Sequence, residues 1–185
     1  MPDMILLETE EHMEERLDNL KKEFSKIRTG RANPRVLDSV RVDYYGALSP
    51  ISQVANISVP EATQLLIKPF DRSITKEIEK AILAANLGFT PQNEGTQIRI
   101  VLPPLTTERR KEYTKLAKKL GEEFKVFIRN SRRDANEALK KMEKDSDISE
   151  DDLKGYSEDV QELTNKYISD IDLLVKEKEE DIMSI

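Results

Sequence analysis

One uninterrupted helical run constrains this chain more than anything else in it. From Thr107 to Asp145, opened by Thr106-Thr107-Glu108, there is no proline and a single glycine, Gly121. At about 1.5 Å per residue such a helix is near 60 Å long. Tyr113, Leu116, Leu120, Phe124, Phe127, Ser131, Ala135, Ala138 and Met142 recur at three- and four-residue steps and predict the stripe that packs on a partner helix. Lys118, Lys125, Arg129, Arg132 and Asn136 then fall on an arc opposite Phe127, with Arg133 and Lys140 at its edges. Within the stretch VFIRNSRRDANEAL, Val126 to Leu139, the helix is expected to be apolar on one side and basic on the other.

Two further stripes match it. Leu6, Met13, Leu17, Leu20, Phe24 and Ile27 predict a first helix over residues 4–29, with Gly30 as a left-handed residue ending it. Ser149-Glu150-Asp151-Asp152 predicts a capped helix start. Leu153, Tyr156, Val160, Leu163, Tyr167, Ile171, Leu174 and Ile182 continue that third helix almost to the end. None of the three can bury its apolar face alone, so they are expected to form a three-helix bundle.

Between the first two helices the pattern changes. Pro34 pushes Asn33 out of helical geometry. Val40, Val42 and Tyr44 alternate as a strand ending at Gly46, and Ile51, Val54, Ile57 and Val59 suggest further extended pieces. Leu65-Leu66-Ile67 reads as a short strand. Ser73 is expected to cap a helix carrying Ile74, Ile78, Ala81, Ile82 and Ala85, with Gly88 just beyond it. Asn93-Glu94-Gly95 makes a turn, and Ile98, Ile100 and Leu102 form a closing strand. The fold class is therefore α+β: an elongated bundle of residues 1–30 and 105–185, with a small domain inserted at 31–104. Two short adjacent connections, Gly30-Arg31 and Pro103-Pro104-Leu105-Thr106, are expected to act as a hinge.

The chemistry of most enzymes is missing. There is no Cys, no phosphate loop of the Walker type, no HExxH and no GxSxG. His12 is the only histidine and has no second ligand to share a metal with. Catalysis, a metal and a cofactor are not expected. The apolar run Met4 to Leu7 is too short for a signal peptide, and no stretch is suited to spanning a membrane. A cytoplasmic monomer is expected.

Net charge is −6, but unevenly spread: residues 107–145 carry +5 and residues 146–185 carry −9. The basic helix could neutralise its acidic neighbours, or it could present Arg129, Arg132 and Arg133, together with Arg28 and Arg31, to phosphates. Charge alone leaves both readings open.

Three stretches decide between them: Arg28-Thr-Gly-Arg-Ala-Asn-Pro34, Val42-Asp-Tyr-Tyr-Gly46 and Arg129-Asn-Ser-Arg-Arg-Asp-Ala-Asn136. With Ile67-Lys-Pro69, Leu87-Gly88, Asn93-Glu-Gly95 and Ile98-Arg-Ile100 they resemble the ribosome recycling factor family along the whole chain. Ser131 departs from the pattern, since relatives more often carry Ile or Val there. The resemblance implies an L-shaped molecule of tRNA-like outline, a three-helix bundle bearing a hinged β/α/β domain. It implies binding to the post-termination ribosome, with the bundle on large-subunit ribosomal RNA. Elongation factor G and GTP would then complete the splitting into subunits. The RNA-binding set it suggests here is Arg28, Arg31, Lys118, Lys125, Arg129, Arg132 and Arg133. A reading from another class is a coiled-coil adaptor or chaperone that binds protein through its acidic third helix.

Overall fold

Three helices dominate the computed structural model, which describes Met1 to Ser184: α1 (Pro2–Lys26), α4 (Thr107–Lys144) and α5 (Glu150–Met183). Between α1 and α4 lie β1 (Arg41–Tyr44), β2 (Ala47–Pro50), the single-turn α2 (Ile51–Val54), β3 (Ala55–Glu61), β4 (Gln64–Pro69), α3 (Thr75–Ala84), β5 (Pro91–Asn93) and β6 (Ile98–Val101). The chain divides into two compact units, residues 1–27 with 111–180, and residues 28–110 with the end from Asp181.

The first unit is the helical one. Tyr156 of α5 donates a hydrogen bond to Asp3 of α1 at 2.9 Å, and Tyr167 donates to Glu14 at 2.7 Å. The partners are equally spaced on both helices, about three turns apart, so α1 and α5 run parallel. Lys118 pairs with Glu179 at 3.6 Å, and Lys125, two turns on, pairs with Asp172. Here one number rises as the other falls, so α4 runs antiparallel to α5. Met13, Leu17, Leu20, Phe24, Ala117, Ile128, Val160, Tyr167 and Ile171 are buried. At one end Ala135, Leu139 and Val160 close the core with Ile5, Leu6, Ile148, Leu153 and Tyr156.

The sequence stripe of α4 is displaced from the face that is buried. Ala117, Gly121, Phe124, Ile128, Ala135 and Leu139 point inward, whereas Leu116 and Phe127 are exposed. Two helices cover α4, so its buried arc is wide, and at Gly121 the missing side chain leaves room for Val175 and Ile171 of α5. A Cβ on Gly121 would lie 2.5 Å from Val175 of α5. Large apolar side chains on the flank drew the expected centre toward Phe127, about 100° from Ile128. Phe127 instead sits under the guanidinium of Arg16, 4.6 Å from its centroid. Ser131 lies at the margin of the seam and donates its hydroxyl to the Phe127 carbonyl at 3.1 Å.

Other boundaries differ too. The first helix ends at Lys26, with Ile27 extended at φ −75° and ψ 122°; Gly30 is not among the left-handed residues. The turn after α4 is closed by Ser146, at φ +61°, with Asp147 donating to Met142 and Ser146 to Glu143, a Schellman arrangement. Ser149 and Asp152 exchange hydrogen bonds at 3.0 Å in both directions, forming the cap that opens α5.

In the second unit the sheet order is β3-β4-β6-β5, antiparallel throughout, and β1 and β2 form a separate hairpin. Leu65, Ile67, Ile98 and Ile100 of the two central strands are fully buried, with Ile78 and Ile82 of α3 in the same core. Ile51 and Val54, expected as extended, form one helical turn that buries both side chains. Asp71, not Ser73, caps the turn before α3: its carboxylate accepts from the Ser73 backbone at 2.9 Å and hydroxyl at 2.7 Å. Those bonds, with one from Tyr45, hold the Asp71 carboxyl below the usual carboxylate range.

Candidate nucleic-acid interface

The basic residues of α4 fall into two groups according to what faces them from α5. Lys125 is enclosed, with its side chain 14% exposed between Asp172 and Glu122. The Asp172 hydrogen bond, opposed by burial and helped by Glu122, raises its ammonium pKa. Lys118 is 64% exposed but shares its charge with Glu179. Arg132 is half-buried beside α5, where it donates to the Gln161 side-chain oxygen at 3.3 Å. Lys125, Arg132 and Asn136 were expected on the outward arc; the shifted helix phase turns all three toward the flank of the α4–α5 seam. The Asn136 side-chain oxygen is buried there without a hydrogen-bond partner among the described residues.

Arg129 and Arg133 behave differently. Both are exposed, and among the described residues neither meets an acid within ion-pair reach. With Arg132 they span little more than one turn of helix, about 6 Å along the axis. Three guanidiniums at this spacing, facing no carboxylate, can take phosphate oxygens in forked, charge-assisted bonds. Arg28 and Arg31 belong to the other unit. Arg28 donates to the Pro103 carbonyl at 2.9 Å, tying the two connecting segments together, and Arg31 lies 3.9 Å from Asp181.

The residues that sequence reasoning passed over are Gln161 and Asn165. Gln161 donates onward to Asn165 at 2.8 Å. A signal was present: Glu179, Asp172 and Asn165 recur at seven-residue steps along α5. The α4-facing position thus changes from acid to amide as it comes level with the arginines.

His12 is exposed on α1. Among the described residues no cluster could hold a metal ion, and no helix is long and apolar enough to cross a membrane.

Fold and surface together define a class: a parallel-and-antiparallel three-helix bundle with an antiparallel α+β unit inserted after its first helix, carrying unneutralised arginines on its second. The ribosome recycling factor family model matches residues 20–183. The ribosome-recycling factor of Geobacillus thermodenitrificans is 51% identical over 185 residues, covering 100% of both chains. That of Lawsonia intracellularis is 50% identical over 183 residues, covering 99% of this chain and 97% of its own. A solution structure of the ribosome recycling factor matches with a TM-score of 0.80 at 41% identity, covering 100% of this chain and 98% of that one. A chain from models of the T. thermophilus ribosome recycling factor and the E. coli elongation factor G, bound to the E. coli post-termination complex, matches with a TM-score of 0.68 at 38% identity and 100% coverage of both. This chain belongs to the ribosome recycling factor family.

Proposed function

We propose that this chain binds the post-termination ribosome and, with elongation factor G and GTP hydrolysis on that partner, drives separation into subunits for a new round of translation. The observation that carries the reading is identity of 51% with a named ribosome-recycling factor across the full length of both chains. The adaptor reading has no such support. The protein acts in the cytoplasm and performs no chemistry itself; the energy comes from its partner's nucleotide.

In this reading Arg129, Arg132 and Arg133 meet phosphates of large-subunit ribosomal RNA. Arg31 adds charge from the second unit. Arg28 acts on the connection through the Pro103 carbonyl, and Lys118 and Lys125 bind the bundle together through α5. Gly30, Arg31, Pro103, Pro104, Leu105 and Thr106 serve as the hinge. Pro103 and Pro104 are exposed and outside any helix or strand, which supports that role. Spin labels, one on each unit, should give a broad distance distribution in free solution; a single narrow distance would rule the hinge out.

The function is tested by light scattering of post-termination ribosomes. Adding this protein, elongation factor G and GTP together should lower the scattering, and leaving out any one should not. Splitting without this protein, or none with it, would refute the reading.

A further inference from the structure

We infer that Gln161 is a positioning residue of the RNA-facing surface: from α5 it holds the Arg132 guanidinium without neutralising it. The inference rests on the reading of Arg132 given above.

Three cations of α4 face α5 across the same seam, and their partners are not alike. Lys118 meets Glu179 and Lys125 meets Asp172, both carboxylates. Arg132 meets an amide, 3.3 Å away. A guanidinium has only donors, so it must face the amide oxygen. The amide nitrogen is thereby left to donate, and it finds the Asn165 side-chain oxygen at 2.8 Å. Asn165 thus fixes the orientation of Gln161, and Gln161 fixes that of Arg132, through a relay containing no negative charge. One guanidinium donor is used and the rest stay free. A carboxylate in the same place would form a charge-assisted pair with Arg132 and compete with a phosphate for it. A neutral amide orders the side chain and leaves its charge available. The surface offered to RNA therefore extends from α4 onto α5.

The test is ribosome affinity at several salt concentrations for Arg132→Ala, Gln161→Glu, Gln161→Met and the double variant Arg132→Ala/Gln161→Met, with thermal midpoints measured beside them. Arg132→Ala should weaken binding on the order of tenfold. Gln161→Glu should weaken it similarly, with a flatter salt dependence and a thermal midpoint held or raised. Gln161→Met should cost a few-fold and keep the wild-type salt dependence, because only orientation is lost. The double variant should bind like Arg132→Ala alone. Wild-type binding by Gln161→Glu or Gln161→Met, with Arg132→Ala weak, overturns the positioning role and leaves the RNA-facing reading intact. Additive losses in the double variant also overturn it, since Gln161 would then act by a path that bypasses Arg132. Wild-type binding by Arg132→Ala would instead bring down the reading on which the inference rests.

Discussion

Lys125 and Arg132 lie on the same flank of one helix, seven residues apart, and do different work because of what faces them. Lys125 is enclosed by Asp172 and Glu122. Its removal should cost about 1–2 kcal/mol of stability, from the lost charged hydrogen bonds and the packing of its stem, while ribosome affinity stays unchanged. The sign of the pH effect follows from its raised pKa. A lysine whose folded value lies above the unfolded one, about 10.4, stabilises fully below that pH and loses the contribution as pH rises through the folded value. The gap in thermal midpoint between wild type and Lys125→Met should therefore be constant through neutral pH and narrow in strong alkali. A gap undiminished there would mean the loss is all packing. Ser146 makes a simpler case. It holds φ +61°, which favours glycine, so Ser146→Gly should stabilise by roughly 0.5–1 kcal/mol, read as a rise in thermal midpoint.

At the scale of elements, sequence periodicity identified all three long helices and the apolar stripes of α1 and α5, but it displaced the buried face of α4. The reason is physical. Hydrophobicity weights large side chains, yet the buried face includes small ones, Ala117 and Gly121, and at Gly121 the Val175 side chain of α5 packs into the space. The arginines were legible from their clustering. Which of them α5 leaves uncompensated was not, because that depends on the register of a second helix. Short-range chemistry failed similarly where it had rivals: Ser73 has the hydroxyl of a cap, but Asp71 two residues earlier takes the role. Gly121 tests the close approach. On an open helix Gly→Ala gains about 1 kcal/mol. Here the new Cβ would meet Val175 at 2.5 Å, a β-branched side chain with little rotamer freedom, and overpacking costs typically about 1–3 kcal/mol. Gly121→Ala should thus destabilise the protein to urea, yet stabilise it in a Val175→Ala background. The same sign in both backgrounds would show that the helices part without cost.

The whole molecule is acidic, at net −6, and its proposed partner is a polyanion. The conflict is resolved by where the charges sit. On the bundle, Glu10, Glu11, Glu14, Glu15 and Asp18 line a groove between α1 and α5. Lys118 and Lys125 of α4 are offset by Glu179 and Asp172. The cluster proposed to meet phosphate on α4 is Arg129, Arg132 and Arg133, none of which meets a carboxylate among the described residues. Acids on α1 repel RNA while these arginines attract it, so the charge pattern selects one side of the bundle for contact. If binding follows this local set, affinity should fall with the logarithm of salt with a slope of about −2 to −3, from three phosphates at roughly 0.7–0.9 released counterions each. Glu11→Gln with Glu15→Gln makes the chain less acidic by two charges but touches none of the three arginines, and should leave that slope unchanged. Arg129→Gln or Arg133→Gln should lower it by about one. Ribosome binding measured across a salt series separates the two accounts. A slope that steepens with the glutamate changes and ignores the arginines would mean total charge governs association, and the arginine cluster would lose its assignment.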